Sequence, residues 1–201
     1  RPWLGARLEP VTREIAEQFK LPRVSGAFVK QVHAKGPAAD AGLRAGDVVV
    51  AVDGFEVADP RSALYRLTTR GIGNRAELKL LRAGRPAAVT VAIQAAPPPG
   101  KDDVRNLSGR HPFDGARVAN LLPAIADQLG IDADTGVVVL SVRTGSTAAR
   151  LGFRQGDVVL QIQRKPIATV AELDEALREP QRMWAMTIKR GEQTMQLQVG
   201  G

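Results

Sequence analysis

The chain has 201 residues and a formal charge of +7, and its 44% apolar content excludes an intrinsically disordered protein. It has no cysteine, which excludes disulfides, thiolate metal sites and cysteine nucleophiles. No apolar run approaches the roughly 20 residues that span a bilayer and no charged-then-apolar leader opens the sequence, so we expect a soluble fragment or a mature protein.

Five elements are predicted in the first 52 residues. In chain order they are a strand, a helix, a strand, a helical turn and a strand, over residues 4–9, 12–20, 27–32, 37–41 and 48–52. Ile15, Ala16 and Phe19 form the apolar stripe of the helix. Gly42 is suited to end the helical turn in a left-handed conformation. The final strand is a continuous apolar run, which is typical of a strand buried on both faces.

A longer helix and a hairpin follow. Asp59 and Pro60 have the sequence of an N-cap and a first helical residue, which predicts a helix that ends near Arg70 before Gly71. Strands are predicted over 76–81 and 87–93. The plan is that of a small domain of five or six strands with two main helices.

The second half of the chain repeats the first at a constant offset of 110 residues. Comparison of 5–57 with 115–167 gives 17 identities in 53 positions, which indicates a tandem duplication. Three consecutive prolines lie between the copies and favour an extended, exposed linker. We therefore predict domains over 1–94 and 113–201, joined by a linker over 95–112. In the second copy, Thr169 is predicted to cap a helix over 170–178.

One duplicated motif resembles a known family. Ala38–Val49 reads Ala-Ala-Asp-Ala-Gly-Leu-Arg-Ala-Gly-Asp-Val-Val and recurs over 148–159. This pattern is similar to the signature of bacterial PDZ domains, and the segments beginning at Trp3 and Phe113 resemble their carboxylate-binding loops. The resemblance implies a mainly β fold with α-helices (α+β), namely two partly open β-barrels or sandwiches in the permuted bacterial arrangement. The tandem layout resembles HtrA/DegP/DegQ-type trypsin-like serine endoproteases without their catalytic domain.

The motif residues have structural explanations. Small side chains let the short helix lie close to the sheet, and Gly46 permits a positive φ before the strand. The carboxylates of Asp47 and Asp157 can accept nearby backbone N–H bonds, so we interpret both as residues of the fold.

The resemblance also assigns a site. A PDZ domain binds a peptide as an added strand beside a helix, and loop amides capture the terminal carboxylate. In the first copy this implies Trp3, Leu4, Gly5, Ala6, Arg7, Leu8, Leu64 and Leu67. In the second copy it implies Phe113, Asp114, Gly115, Ala116, Val118, Leu173 and Leu177. Apolar residues at helical spacing are equally compatible with a core role for the leucines. Because Asp114 can repel a carboxylate, the second copy is predicted to be the weaker binder.

No catalytic machinery is recognisable in the sequence. No serine has the Gly-x-Ser-Gly-Gly context of the related proteases, and neither an HExxH motif nor a nucleotide-binding motif is present. His33 and His111 are interpreted as solvent-exposed. We therefore predict no enzymatic activity, metal or cofactor for this chain itself.

Three functions are consistent with these patterns. The first is a regulatory tandem of a periplasmic serine endoprotease of protein quality control, which binds unfolded chains or peptides with free hydrophobic C-termini and contacts its own protease domain in a homo-oligomer. The second is an assembly scaffold with little peptide affinity. The third is binding of polyanions by the first copy, which carries 15 basic and 9 acidic residues over 1–94. These bases are scattered and have no aromatic platform, so nucleic acid is not the expected partner, and no membrane insertion is expected.

Overall fold

The computed structural model describes residues 1–133 and 135–201. The chain divides into two compact units, Arg1–Pro97 and Pro98–Gly201, referred to below as the first and second units.

The first unit consists of eight strands and three helices. The strands are β1 (Pro2–Trp3), β2 (Ala6–Pro10), β3 (Ala27–Val32), β4 (Val48–Val52), β5 (Phe55–Glu56), β6 (Arg75–Arg82), β7 (Arg85–Ala92) and β8 (Gln94–Ala95). The helices are α1 (Arg13–Gln18), α2 (Pro37–Ala41) and α3 (Pro60–Arg70).

Local chemistry determines where α3 begins. The Asp59 carboxylate accepts a 2.7 Å bond from the amide of Ser62, and the Ser62 hydroxyl accepts from the amide of Asp59 at 3.1 Å. These reciprocal bonds satisfy amides that a helix leaves without partners in its first turn. Gly71, with φ of +92°, ends the helix, so the predicted helix over 60–70 is confirmed.

One antiparallel sheet organises the first unit. Its order is β2-β3-β4-β6-β7, and β5 pairs with β4, while β1 and β8 form a separate two-stranded ribbon. Val29, Val49 and Leu78 extend from the sheet into a core that Leu67 of α3 closes. The unit thus has β2 at one end of its main sheet, next to α3.

Over residues 98–133 and 135–201, the second unit has seven strands, three α-helices and a 3-10 helix. After the 3-10 turn Lys101–Asp103, the strands are β9 (Val104–Asn106), β10 (Ala116–Asn120), β11 (Val137–Val142), β12 (Val158–Ile162), β13 (Lys165–Pro166), β14 (Met183–Arg190) and β15 (Gln193–Gly200). The helices are α4 (Pro123–Leu129), α5 (Thr147–Arg150) and α6 (Val170–Ala176).

The sheet of the second unit has one strand more than predicted. Its order is β15-β14-β12-β11-β10-β9, and β13 pairs with β12. β9 lies within the stretch predicted to be an exposed linker over 95–112. That prediction is wrong for residues 104–107, because they pair with β10 and bury Leu107 in the core.

Other boundaries also differ from the predictions, among them the end of the helix predicted over 170–178, which lies at Ala176. The strand predicted over 4–9 is divided by Gly5, whose φ of +73° takes the backbone out of the extended conformation. The helix predicted over 12–20 ends at Gln18, and Phe19 is its C-cap. The predicted strand over 27–32 and the helical turn over 37–41 are confirmed, and Gly42 ends the turn with φ of +87°.

Candidate functional site

The edge of β10 in the second unit carries a strand from the same chain. β9 lies antiparallel to β10, with Val104 opposite Ala119 and Asn106 opposite Arg117. The position at which the resemblance implies an added peptide strand is therefore already occupied in the second copy. The sequence interpretation missed this strand because its three residues, Val-Arg-Asn, carry no periodic signal.

Leu107, directly after β9, is hydrogen-bonded to the first residue of β10 and to the loop residue before it. Its amide donates to the carbonyl of Ala116 at 2.8 Å, and its carbonyl accepts from the amide of Gly115 at 2.9 Å. Its side chain is only 3% exposed and lies in one buried cluster with Leu173 of α6 and with Leu177, the C-cap of that helix. The segment 104–107 therefore lies between β10 and α6 as an extended peptide whose last apolar side chain is buried. We refer to it as the internal segment and to its position as the second groove.

Side chains hold the internal segment just before its first residue and at Arg105. The side-chain Nδ2 of Asn120 donates to the Asp103 carboxylate at 2.8 Å, and its side-chain Oδ1 accepts from the backbone amide of Val170 at 2.7 Å. Arg105 donates to the carboxylate of Asp174 in α6 at 2.7 Å. The internal segment is thus held by its backbone, by Leu107 and by these polar contacts.

The residues predicted for the second site surround this segment, and most of them belong to the core. Phe113 is fully buried and stacks on Phe153 at 4.5 Å between ring centroids. The fully or almost fully buried set also includes Ala116, Val118, Leu173 and Leu177. Asp114 accepts a 3.1 Å bond from the amide of Gly109, so its carboxylate stabilises the loop that follows Leu107.

Gly115 is required by the backbone of this loop. Its φ is +89°, and a Cβ at this position would overlap the Cβ of Ser146, the N-cap residue of α5. A side chain would therefore displace the amide that binds the carbonyl of Leu107. This close approach explains the glycine in mechanical terms.

The corresponding edge in the first unit has no strand on its outer side. β2 is the terminal strand of its sheet, and within residues 1–133 and 135–201 only β3 pairs with it. β1, which precedes β2, pairs with β8 instead. We refer to the space between the outer edge of β2 and α3 as the first groove.

The loop before β2 has the same backbone geometry as the loop before β10. The Gly5 carbonyl accepts from the amide of His33 and the Leu4 carbonyl from the amide of Ala38, both at 2.9 Å. In the second unit the equivalent carbonyls of Gly115 and Asp114 accept from Arg143 and Ala148, at 2.9 and 3.0 Å. The two loops therefore present the amides of Gly5 and Gly115 at matching positions.

The residues predicted for the first site are distributed along this groove. Leu4, Ala6 and Leu8 are partly buried against the core, whereas Leu67 is buried within it. Leu64 is half-buried on α3, and Arg7 is partly exposed on β2. Trp3 is paired into the β1–β8 ribbon, and its ring stacks with His33 at 6.2 Å.

His111 differs from its interpretation as a solvent-exposed residue. It lies in the loop between Leu107 and Gly115, and its Nδ1 is buried without a hydrogen-bond partner among the described residues. Its Nε2 lies 3.2 Å from the carbonyl of Ser108. Burial lowers the pKa of His111, although Asp114 and Asp174 act in the opposite direction.

The carboxylates of Asp47 and Asp157 are buried and hydrogen-bonded within the fold, as predicted. Asp47 accepts from the amide of Arg44 at 2.8 Å, as the motif predicted. Its carboxylate also receives two 2.8 Å bonds from the guanidinium of Arg82. Asp157 and Arg190 repeat this bidentate pair at 2.7 Å. The sequence interpretation missed the arginines, although each copy has one as the last residue before the turn of its final hairpin.

The hydrogen bond to its aspartate raises the pKa of each of these arginines above its ordinary value. Both arginines therefore remain charged, and both pairs are structural.

Neither a metal-binding cluster nor a membrane-spanning helix is found in the part of the chain that the structure describes. Across 1–133 and 135–201, no group of three or more His, Asp or Glu side chains is arranged to hold a metal ion. None of the helices in those two ranges is long and apolar enough to cross a membrane.

Comparison with known proteins identifies what the chain resembles. The PDZ domain family profile matches residues 2–93 and 112–200. A probable periplasmic serine endoprotease DegP-like from Chlamydia trachomatis is 36% identical over 179 residues, covering 89% of this chain and 35% of the relative. A protein of the same description from Halomonas elongata is 38% identical, covering 89% of this chain and 37% of the relative. The chain thus spans about a third of the length of these curated relatives.

Among solved structures, the HtrA-type protease AlgW with a decapeptide is similar to part of this chain. The identity is 33%, and the match covers 49% of this chain and 30% of that one, with a TM-score of 0.44.

Proposed function

The chain belongs to the PDZ domain family, and from that premise we propose that its first unit binds the C-terminal residues of an extended polypeptide along the outer edge of β2. The observation that carries the proposal is the internal segment, which occupies the equivalent groove of the duplicate unit. It provides a template for a guest chain in the first groove.

The template defines the backbone bonds of the guest. Leu107 bonds to Gly115 and Ala116, which correspond through the offset of 110 to Gly5 and Ala6. The last residue of a guest would donate its amide proton to the Ala6 carbonyl. Its terminal carboxylate would accept from the Gly5 amide. A free carboxylate strengthens that bond because a charged acceptor binds an N–H more tightly than a carbonyl does.

The template also defines the chemistry of the last side chain. Leu107 lies in one buried cluster with Leu173 and Leu177, whose counterparts in α3 are Ala63 and Leu67, both almost fully buried. A guest therefore gains affinity when its final residue is apolar and enters this part of the core. The ligand class is a polypeptide with a free, hydrophobic C-terminus.

The relatives extend the proposal to the whole protein. The curated relatives described above are named as periplasmic serine endoproteases, and the chain corresponds to about a third of them. We place it in a periplasmic protease of protein quality control, in which the first unit captures unfolded chains for a separate catalytic domain of an oligomer. Proteolysis is assigned to that domain and not to this chain.

A second function is favoured for the second unit. Its groove already holds the internal segment, so an incoming peptide must displace both the backbone pairing and the buried Leu107. This arrangement supports a role for the second unit in the assembly of an oligomer, with little peptide affinity of its own.

The test uses the 201-residue chain and a fluorescein-labelled peptide ending in Val-Val-Asn-Leu. Fluorescence anisotropy is expected to give tighter binding for the free acid than for the amidated peptide. Gly5→Ala is expected to weaken binding, since a Cβ there lies 2.9 Å from the Cα of Gly36 and shifts the loop. Gly115→Ala is the matched control in the second unit and is expected to leave the affinity unchanged.

Equal affinity for the acid and the amide contradicts carboxylate capture. Loss of binding in Gly115→Ala but not in Gly5→Ala contradicts the assignment to the first unit. An affinity for the free acid that collapses at high salt supports instead a polyanion-type interaction of the basic first unit.

A further inference from the structure

β15 ends the sheet of the second unit, and its outer edge has no partner strand among residues 1–133 and 135–201. All eight of its residues pair with β14 without a register shift. The amide of Gly201 continues this pairing with a 2.9 Å bond to the carbonyl of Arg182. β15 is therefore a long and regular edge strand without a bulge.

Alternate residues of β15 direct their backbone groups away from β14. In an antiparallel pair, residues that bond to the partner strand alternate with residues that face outward. Because Gly201 bonds to Arg182 and the pairing is unshifted, the outward-facing set includes Thr194, Gln196 and Gln198. Their amides and carbonyls form a row to which a further extended strand can bond.

The side chains of β15 lack the features that usually protect an exposed edge. None of its eight residues, Gln-Thr-Met-Gln-Leu-Gln-Val-Gly, is charged and none is proline. Lysine, proline and bulges are common means by which proteins prevent pairing at an edge strand. The outer edge of β15 is thus chemically suited to accept another strand.

The equivalent strand of the first unit is protected. β7 and β15 both follow the turn of the final hairpin, at Arg85 and Gln193. Pro86 therefore stands where the second unit has Thr194, and it removes one outward-facing amide. α2 also packs against β7, whereas α5, the matching helix, makes no comparable contact with β15 among the described elements. The two copies thus differ at this edge, and β15 keeps the uninterrupted row of amides.

The side chains of β15 are complementary to those of a second copy. Thr194, Gln196 and Gln198 are exposed, and Met195 and Leu197 lie half-buried on the opposite face. Hydroxyl and amide side chains both donate and accept hydrogen bonds, so each can bond to a copy of itself. Aliphatic residues in opposing strands likewise pack together. Residues 113–201 include ten acidic and ten basic side chains, so two second units meet without net repulsion.

We propose that two copies of this chain associate through their second units, with β15 of one copy antiparallel to β15 of the other. Two-fold symmetry closes the assembly at a dimer, because each β15 has one open edge. The contact extends along a single edge and buries a small area, so the dimer is weak and depends on concentration. The inference rests on the assembly role proposed for the second unit and does not depend on peptide capture by the first.

Analytical ultracentrifugation of the 201-residue chain, at concentrations up to the millimolar, tests the association. The unmodified chain is expected to shift from monomer to dimer as its concentration rises. Gln196→Lys/Gln198→Lys is expected to weaken the dimer about tenfold, because lysines then lie opposite one another in the paired strands. The matched control is Ala88→Lys/Thr90→Lys, which adds the same charge at the equivalent exposed positions of β7. It is expected to leave the dimer unchanged.

Amide hydrogen exchange of the unmodified chain identifies the contact surface without any substitution. The outward-facing amides of Thr194, Gln196 and Gln198 are expected to exchange more slowly at high concentration than at low concentration. The amides of Met195 and Leu197 face β14 and are expected to be protected at both concentrations. This pattern is specific to pairing along the outer edge of β15.

The outcomes separate this inference from the proposed function. A chain that stays monomeric up to the millimolar contradicts both the pairing of β15 and the assembly role of its unit. If the chain dimerises but both double variants have equal effects, or exchange at Gln196 does not depend on concentration, the pairing of β15 is wrong while the assembly role stands. An assembly that grows beyond a dimer overturns the two-fold contact. Anisotropy of the labelled peptide on the same samples reports peptide capture by the first unit separately.

Discussion

The amide of Leu107 donates a 2.8 Å hydrogen bond to the carbonyl of Ala116, and this contact makes the internal segment a strand added to the sheet of the second unit. The equivalent carbonyl in the first unit belongs to Ala6, on a terminal strand of its sheet. The duplication therefore presents the same groove twice, once filled by its own chain and once open along its outer edge among the described residues.

Truncation of Leu107 tests how far the internal segment stabilises the second unit. Leu107→Ala is expected to destabilise that unit by about 3 kcal/mol, since it removes a buried side chain and leaves a cavity. Leu151→Ala, at a leucine that is 40% exposed, is expected to change the free energy of unfolding by less than about 0.5 kcal/mol. Denaturant unfolding followed by the fluorescence of Trp184 measures both variants. Equal effects would contradict the burial of Leu107.

Alanine substitutions at Gly115 and Gly130 can distinguish the cost of backbone strain from the cost of steric overlap. Both have positive φ, +89° and +66°, but a Cβ would meet Ser146 only at Gly115 and open space at Gly130. Gly130→Ala is expected to cost about 1 kcal/mol from strain alone. Gly115→Ala is expected to cost about 3 kcal/mol because the overlap adds to the strain. Urea denaturation of the two variants measures both costs. Similar midpoints would contradict the overlap of a Cβ at position 115 with Ser146.

Each of the duplicated ion pairs is expected to stabilise only the unit that contains it. Asp157→Ala leaves the Arg190 guanidinium without its bidentate partner, and we expect a loss of about 3 kcal/mol from the second unit. Asp47→Ala is expected to do the same in the first unit, whereas Asp40→Ala, at an exposed aspartate, has little effect. Denaturant unfolding is followed by the fluorescence of Trp3, which lies in the first unit, and of Trp184, which lies in the second. If either variant destabilises both units equally, the independence of the units is contradicted.

His111 is expected to make the second unit sensitive to acid. Burial lowers its pKa below the ordinary value of 6.5, so below pH 6.5 the unfolded chain binds a proton that the folded chain does not yet bind. Stability is therefore full above pH 6.5 and decreases as the pH falls toward the lowered folded-state pKa. His111→Gln lacks this contribution. The free energy of unfolding, measured at pH 8 and pH 5, is expected to fall less in the variant, and an equal fall would show that His111 has no such role.

The local parts of the fold were predictable because nearby residues determine them. Asp59 and Gly71 determine the ends of α3, and the duplicated motif correctly places α2 and β4. β9 was not predictable in this way, since its residues are extended only because β10 and Leu107 hold them there. Likewise, Arg82 is 35 residues from Asp47, and no local pattern connects the two.

The prediction of the site was limited for the same reason. The loop glycines were identified from their motif, and the structure gives Gly5 and Gly115 equivalent positions. The state of each groove depends on the partner of its edge strand, which is a tertiary contact. The contact of Arg105 with Asp174 could be recognised only after β9 had been located.

Peptide capture by the first unit is tested most directly by titrating the ¹⁵N-labelled chain with the free-acid peptide ending in Val-Val-Asn-Leu and following the amide chemical shifts. We expect saturable shifts at Gly5, Ala6 and Leu8 and along α3, with no comparable shifts at Gly115 and Ala116. Shifts confined to the second unit, or no shifts along β2 at saturating peptide, would contradict it.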